Sequence, residues 1–193
     1  MPAQPQLRLT PQEYLIRERR ASFKSEYRNG EVLEMAPASR RHILIATNLS
    51  AELGAQLKKK PCTVYISALR MKVNATGLYT YPDVMVVCGA PQFDEDDEQL
   101  ETLMNPTLIV EVLSPSTEDY DRGSKFGQYR TIPSIQEYLL IAQDRCHAEH
   151  FVKQPDQSWL RSEASRMEEA LALASIGCTL ALAEVYDEVD FTS

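Results

Sequence analysis

One stretch constrains the fold more than any other: LIVEVLSPSTEDYDRGSKFGQYR, residues 108–130. Leu108, Ile109, Val110, Val112 and Leu113 form an apolar run, three of the five β-branched, that reads as a strand. Glu111 interrupts it. Burying an unpaired carboxylate costs several kcal/mol, so the chain must bring a cation or good hydrogen bonds to that position. Behind the strand, Ser114-Pro115-Ser116-Thr117 is a helix-start cluster, with Glu118 and Asp119 in the favoured first turn. That helix is expected to end near Ile132, just before Pro133.

The rest of the chain reads as an alternation of helices and strands. Thr10, Pro11 and Glu13 mark a helix start with a capping box, running to about Arg20. Asn29-Gly30 between extended runs signals a hairpin. Ser39 can cap a long helix to about Lys59, with Ile43, Ile45, Ala46, Leu49, Leu53 and Leu57 at helical spacing. CTVYISALRMKV reads as one strand, followed by a turn at Asn74-Ala75-Thr76-Gly77. TYPDVMVVCG reads as a second strand, buried on both faces. IQEYLLIA and CHAEHFVKQ are two more, and Pro155-Asp156-Gln157 marks a further hairpin. The expectation is a mixed α/β (α+β) fold, a central mixed β-sheet flanked by helices, in a single domain over residues 1–193.

Charge is unevenly spread. Residues 1–72 carry a net +7 and residues 73–193 a net −15, for −8 overall. Six of the acids fall in QFDEDDEQLE, which reads as a solvated loop. The acidic total is therefore weak evidence about partners, and the basic first part is open to a polyanion or to plain solvent. Cys62, Cys88, Cys146 and Cys178 are far apart with no CxxC pair, which argues against zinc and against a disulfide framework. MPAQPQLRLT lacks the apolar core of a signal peptide, and no apolar run reaches membrane-spanning length. The expected compartment is the cytoplasm.

Four features converge on one chemistry. Pro82-Asp83 puts a carboxylate at the entry to a buried strand, and Glu111 lies inside the next. Sequential strands often pair, so the two could face one another and hold Mg²⁺ (or Mn²⁺) through hard oxygen ligands. Asp121, Lys125 and Tyr129 share one face of the following helix, which can aim the Lys125 ammonium at the carboxylates. Glu31 and His42 flank the long early helix as further polar candidates. This set suits phosphodiester hydrolysis. Plainer readings stand beside it: a strand-edge Asp83, a water-facing Glu111, a surface Asp121–Lys125 pair and a packed His42. His147 and His150 look structural, and Trp159 belongs to the core.

At these residues the chain resembles the Uma-two family of restriction-endonuclease-like proteins. LTPQEYL, EYRNGEVLEMAPASRRH, YPDVMVV and NPTLIVEVLSPSTEDYDRGSKFGQYRTIPSIQEYLLI carry the resemblance, in order, over roughly residues 9–187. It implies a PD-(D/E)xK nuclease fold, with Pro82-Asp83 as the PD element and Glu111 as the second acid. Leu113 stands where that pattern has lysine, so the resemblance implies that Lys125 supplies the ammonium from the adjacent helix. It also implies that Glu31 completes or supports the metal shell, and it includes His42 without giving it a role. Tyr129 is expected to hydrogen-bond within the site. The function implied is a Mg²⁺-dependent DNA endonuclease, acting as a homodimer, with Arg40 and Arg41 contacting phosphate. The alternative is a non-catalytic binding or regulatory module on a nuclease-like scaffold.

Overall fold

The structure, a computed structural model, describes residues 8–99, 101–115 and 117–192. Helix α1 (Pro11–Glu18) begins with the expected reciprocal cap. The Thr10 hydroxyl accepts from the Glu13 amide (3.3 Å), and the Glu13 carboxylate accepts from the Thr10 amide (2.7 Å). Strands β1 (Ser25–Arg28) and β2 (Glu31–Glu34) form the hairpin around Asn29 and Gly30, both at positive φ. Helix α2 (Arg40–Leu57) starts where Ser39 accepts from the His42 amide. It buries Ile45, Leu49, Leu53 and Leu57, while Ile43 points outward.

CTVYISALRMKV is two strands rather than one. β3 (Cys62–Ile66) and β4 (Arg70–Val73) belong to different sheets, because a turn at residues 67–69 carries the chain from one to the other. TYPDVMVVCG divides in the same way, into β5 (Leu78–Thr80) and β6 (Val84–Cys88), with Asp83 at the crossing. β7 (Thr102–Leu103), β8 (Leu108–Leu113), β9 (Glu137–Ala142), β10 (Ala148–Lys153) and β11 (Trp159–Ala164) follow. Between β8 and β9 lie α3 (Glu118–Tyr120), a π-helical turn (Asp121–Lys125) and α4 (Phe126–Tyr129). β12 (Ala170–Leu173), β13 (Cys178–Ala181) and α5 (Leu182–Val185) close the described chain.

A six-stranded sheet runs β11-β10-β9-β8-β6-β3, and a five-stranded sheet runs β2-β1-β5-β4-β7. In the larger sheet β8 and β9 are parallel and every other pair is antiparallel. Every residue of β8 is buried, which explains its unbroken apolar run. Leu108, Val110 and Val112 pack toward α2, β12, β13 and α5. Ile109 and Leu113 pack on the other face, with Tyr129, Tyr138 and the strands of the smaller sheet. Strand alternation puts Glu111 on that second face.

Two expectations are corrected here. Cys62 and Cys88 form a disulfide, since they are direct partners across the β3–β6 ladder. A separation of 26 residues gave no hint of that pairing. Cys146 and Cys178 are free, as expected. The acidic run is not simply a solvated loop. Asp97 is fully buried and bonds Arg70 and Arg19 at 2.7 Å each, while Asp94 holds Lys72 at 2.9 Å. No helix among the described residues is long and apolar enough to cross a membrane.

Candidate active site

Antiparallel pairing of β6 with β8 sets Val84 opposite Val110, so Asp83 comes level with Glu111. The Asp83 carboxylate is fixed at both oxygens. Oδ2 accepts from the Val112 amide at 2.8 Å, and Oδ1 lies 2.7 Å from His42 Nε2. His42 reaches it from the first turn of α2, where the Ser39 cap fixes the helix start.

Glu111 is 4% exposed and has two partners. The Tyr129 hydroxyl donates to Oε1 at 2.7 Å, and the Lys125 ammonium lies 2.9 Å from the same oxygen. Lys125 also lies 3.3 Å from Asp121 and 3.3 Å from Glu26. Asp121, Lys125 and Tyr129 thus share a face across the π-helical turn, and that face meets the Glu111 side of the sheet. Burial pushes the Glu111 carboxyl up; Lys125 opposes the shift, while Asp121 and Asp83 add to it. Burial likewise raises Asp121. Burial would lower the Lys125 ammonium, but Glu111, Glu26 and Asp121 outweigh it and hold the group charged.

Glu26 is the participant that sequence reasoning missed. It accepts from the Thr80 hydroxyl (2.5 Å) and the Tyr120 hydroxyl (3.1 Å) as well as meeting Lys125. Nothing local in SEYR singled it out; the fold buries the first three residues of that strand. Glu31, the acid expected from the sequence, instead lines a surface groove with Arg8, Arg28, Ser124 and Gln128. Among the described residues it makes no hydrogen bond or ion pair with the cluster. Arg40 and Arg41 sit in the first turn of α2, beside His42, with Arg40 exposed.

The donor set is all oxygen apart from His42; three carboxylates, Glu26, Glu111 and Asp121, meet a single lysine, and Asp83 lies beside Glu111 on the neighbouring strand. Asp121 Oδ1 is buried with the Lys125 ammonium 3.3 Å away, and the Tyr129 and Lys125 contacts of Glu111 both fall on Oε1. Several carboxylates gathered around one ammonium leave surplus negative charge, which suits a hard divalent cation. Among the described residues, no three acidic, histidine or cysteine side chains are already gathered as metal ligands, since Lys125 and His42 stand against the carboxylates. Asp83 and Glu111, level on neighbouring strands, are the two acids that could share an ion.

This fold is restriction-endonuclease-like. It matches, with a TM-score of 0.73 and 16% identity, a structure described as "Crystal structure of a putative nuclease belonging to DUF820 from Anabaena variabilis ATCC 29413", over 92% of this chain and 97% of that one. The Uma2 family model, described as "Putative restriction endonuclease", matches residues 11–183, and the chain belongs to that family. Two proteins of Synechocystis sp. (strain ATCC 27184 / PCC 6803 / Kazusa) are similar. "Uncharacterized protein sll1609" is 42% identical over 80% of this chain and 86% of its own length. "Uncharacterized protein slr1290" is 36% identical over 98% and 97%.

Proposed function

We propose that this chain is a Mg²⁺- or Mn²⁺-dependent endonuclease that hydrolyses DNA phosphodiester bonds. The observation that carries the reading is the Lys125 ammonium, delivered by a helix to within 2.9 Å of Glu111, beside Asp83. Asp83 and Glu111 would hold the ion, which supplies charge neutralisation on the phosphate and a lower pKa for water. The Val112 amide and His42 fix the Asp83 oxygens, and Tyr129 fixes Glu111. Glu26 and Asp121 position Lys125. From there its ammonium donates to the attacking water or to the charge that grows on the phosphoryl oxygens. Arg40, at the exposed start of α2, can meet a neighbouring phosphate. Cutting both strands of a duplex takes two such sites, which a two-fold homodimer provides.

A second reading has one observation in its favour: Lys125 already bonds three carboxylates, as a closed structural cluster would. One assay separates the two. Purified protein is incubated with supercoiled plasmid and Mg²⁺ or Mn²⁺, beside Glu111→Gln and Lys125→Ala. The nuclease reading expects metal-dependent nicking that falls roughly 100- to 1,000-fold in each variant. Folded wild type that nicks nothing would leave the non-catalytic module.

A further inference from the structure

The helix that carries Lys125 has a second face. Phe126 and Arg130 lie roughly 100° round from the Asp121–Lys125–Tyr129 stripe, toward the β10–β11 hairpin. Phe126 stacks on Tyr138 at 5.2 Å and meets Phe151 at 4.7 Å and Trp159 edge-to-face at 5.3 Å. The β10–β11 register sets Phe151 opposite Arg161 and Lys153 opposite Trp159. One face of the hairpin therefore alternates ring and cation. Between it and the helix lies a groove of about 480 Å³.

Every charged residue lining that groove is a cation (Arg130, Lys153 and Arg161), in a chain of net charge −8. Glu149 (2.8 Å) and Glu163 (2.5 Å) hold Arg161, whose guanidinium lies 5.9 Å from the Phe151 ring. No ion pair among the described residues engages Arg130 or Lys153. The three rings are only partly buried. A purely structural aromatic cluster would need the rings but not two unpaired cations on its rim.

We propose that this groove binds single-stranded nucleic acid, with bases on the rings of Trp159 and Phe151 and phosphates on Arg130 and Lys153. Rings stack with any base once it is unpaired, and cations track the backbone. A duplex hides its base faces, and an acidic peptide would use the cations but leave the rings idle. The inference rests on nucleic acid being the substrate class. It adds that the strand offered to this protein is unpaired alongside the active-site helix.

Trp159 is the only tryptophan of the chain, so its fluorescence reports on the groove directly. Full-length wild type in EDTA is titrated with short oligo-thymidylate, with a blunt duplex of equal length and with poly-glutamate. Saturable quenching by the oligonucleotide alone is expected. Affinity should fall roughly 10-fold in Arg130→Ala and in Lys153→Ala, with a salt slope shallower by about 0.7 in each. No saturable quenching, equal response to the duplex, equal binding of poly-glutamate, or unchanged affinity in both variants would overturn the proposal. Quenching without nicking in the plasmid assay would keep this groove and remove the nuclease. Nicking without quenching would do the reverse.

Discussion

At the scale of single residues, Glu111 and Lys125 form one electrostatic unit. The strand can bury the carboxylate because the ammonium and the Tyr129 hydroxyl both reach Oε1. Order along the chain put forward Asp83, Glu111, Asp121, Lys125 and Tyr129, and the fold brings the last four into contact. It was not enough to choose between Glu26 and Glu31, which lie on two strands of one hairpin. Only the pairing of β1 with β5 turns Glu26 inward, where Thr80, Tyr120 and Lys125 receive it. Glu26→Gln is therefore expected to slow metal-dependent nicking by roughly 10- to 100-fold, the usual effect of losing a group that orients a catalytic one. Glu31→Gln should stay close to wild type. Rates in the reverse order would return Glu31 to the site.

Elements differ from expectation where the chain changes sheet. Apolar content carries straight through residues 62–73, so no periodicity could reveal that β3 and β4 part company. The helix after β8 was legible from its start signals, but not its π-helical turn at Asp121–Lys125, a form that is rare and often found at functional sites. β3 sits at the edge of the larger sheet, tied to β6 by the Cys62–Cys88 bridge. For a loop of that length the bridge restricts the unfolded chain by about 3 kcal/mol. Cys62→Ser with Cys88→Ser should lower Tm by roughly 5–10 °C, and a reducing agent should do the same to wild type. An unchanged Tm in both cases would mean that the bridge is absent in solution.

For the whole molecule, the charge asymmetry is partly internal. The basic first part and the acidic run meet in the fold, through Arg19 and Arg70 on Asp97 and Lys72 on Asp94. Burial pushes the Asp97 carboxyl up, but hydrogen bonds from Arg19, Thr102 and Arg70 prevail and bring it down to about 2. A carboxyl lowered in the folded state stabilises the fold above the ordinary carboxylate range and loses that stabilisation as pH falls from about 4 to about 2. Asp97 is buried but its partner Arg19 is partly exposed and screened, so the loss is on the order of 1 kcal/mol. Acid titration of stability should show it, and Asp97→Asn should flatten that limb. The same substitution should destabilise the protein near neutrality by about 3 kcal/mol, because it strands the buried Arg70. An acid limb unchanged in the variant would remove Asp97 from this role.

Local rules were legible in the order of residues. That order set the capped starts of α1 and α2, the Asn29-Gly30 hairpin, the strand of β8, and the need for a cation or good hydrogen bonds at Glu111 if that strand is buried. These follow from backbone geometry, side-chain periodicity and the high cost of a lone buried charge. Tertiary structure alone decided which strands share a sheet, which acid of the first hairpin turns inward, that Cys62 faces Cys88, and that Asp94 and Asp97 bury against distant cations. Those outcomes depend on pairings between segments far apart in the chain, and no local pattern of residues encodes them.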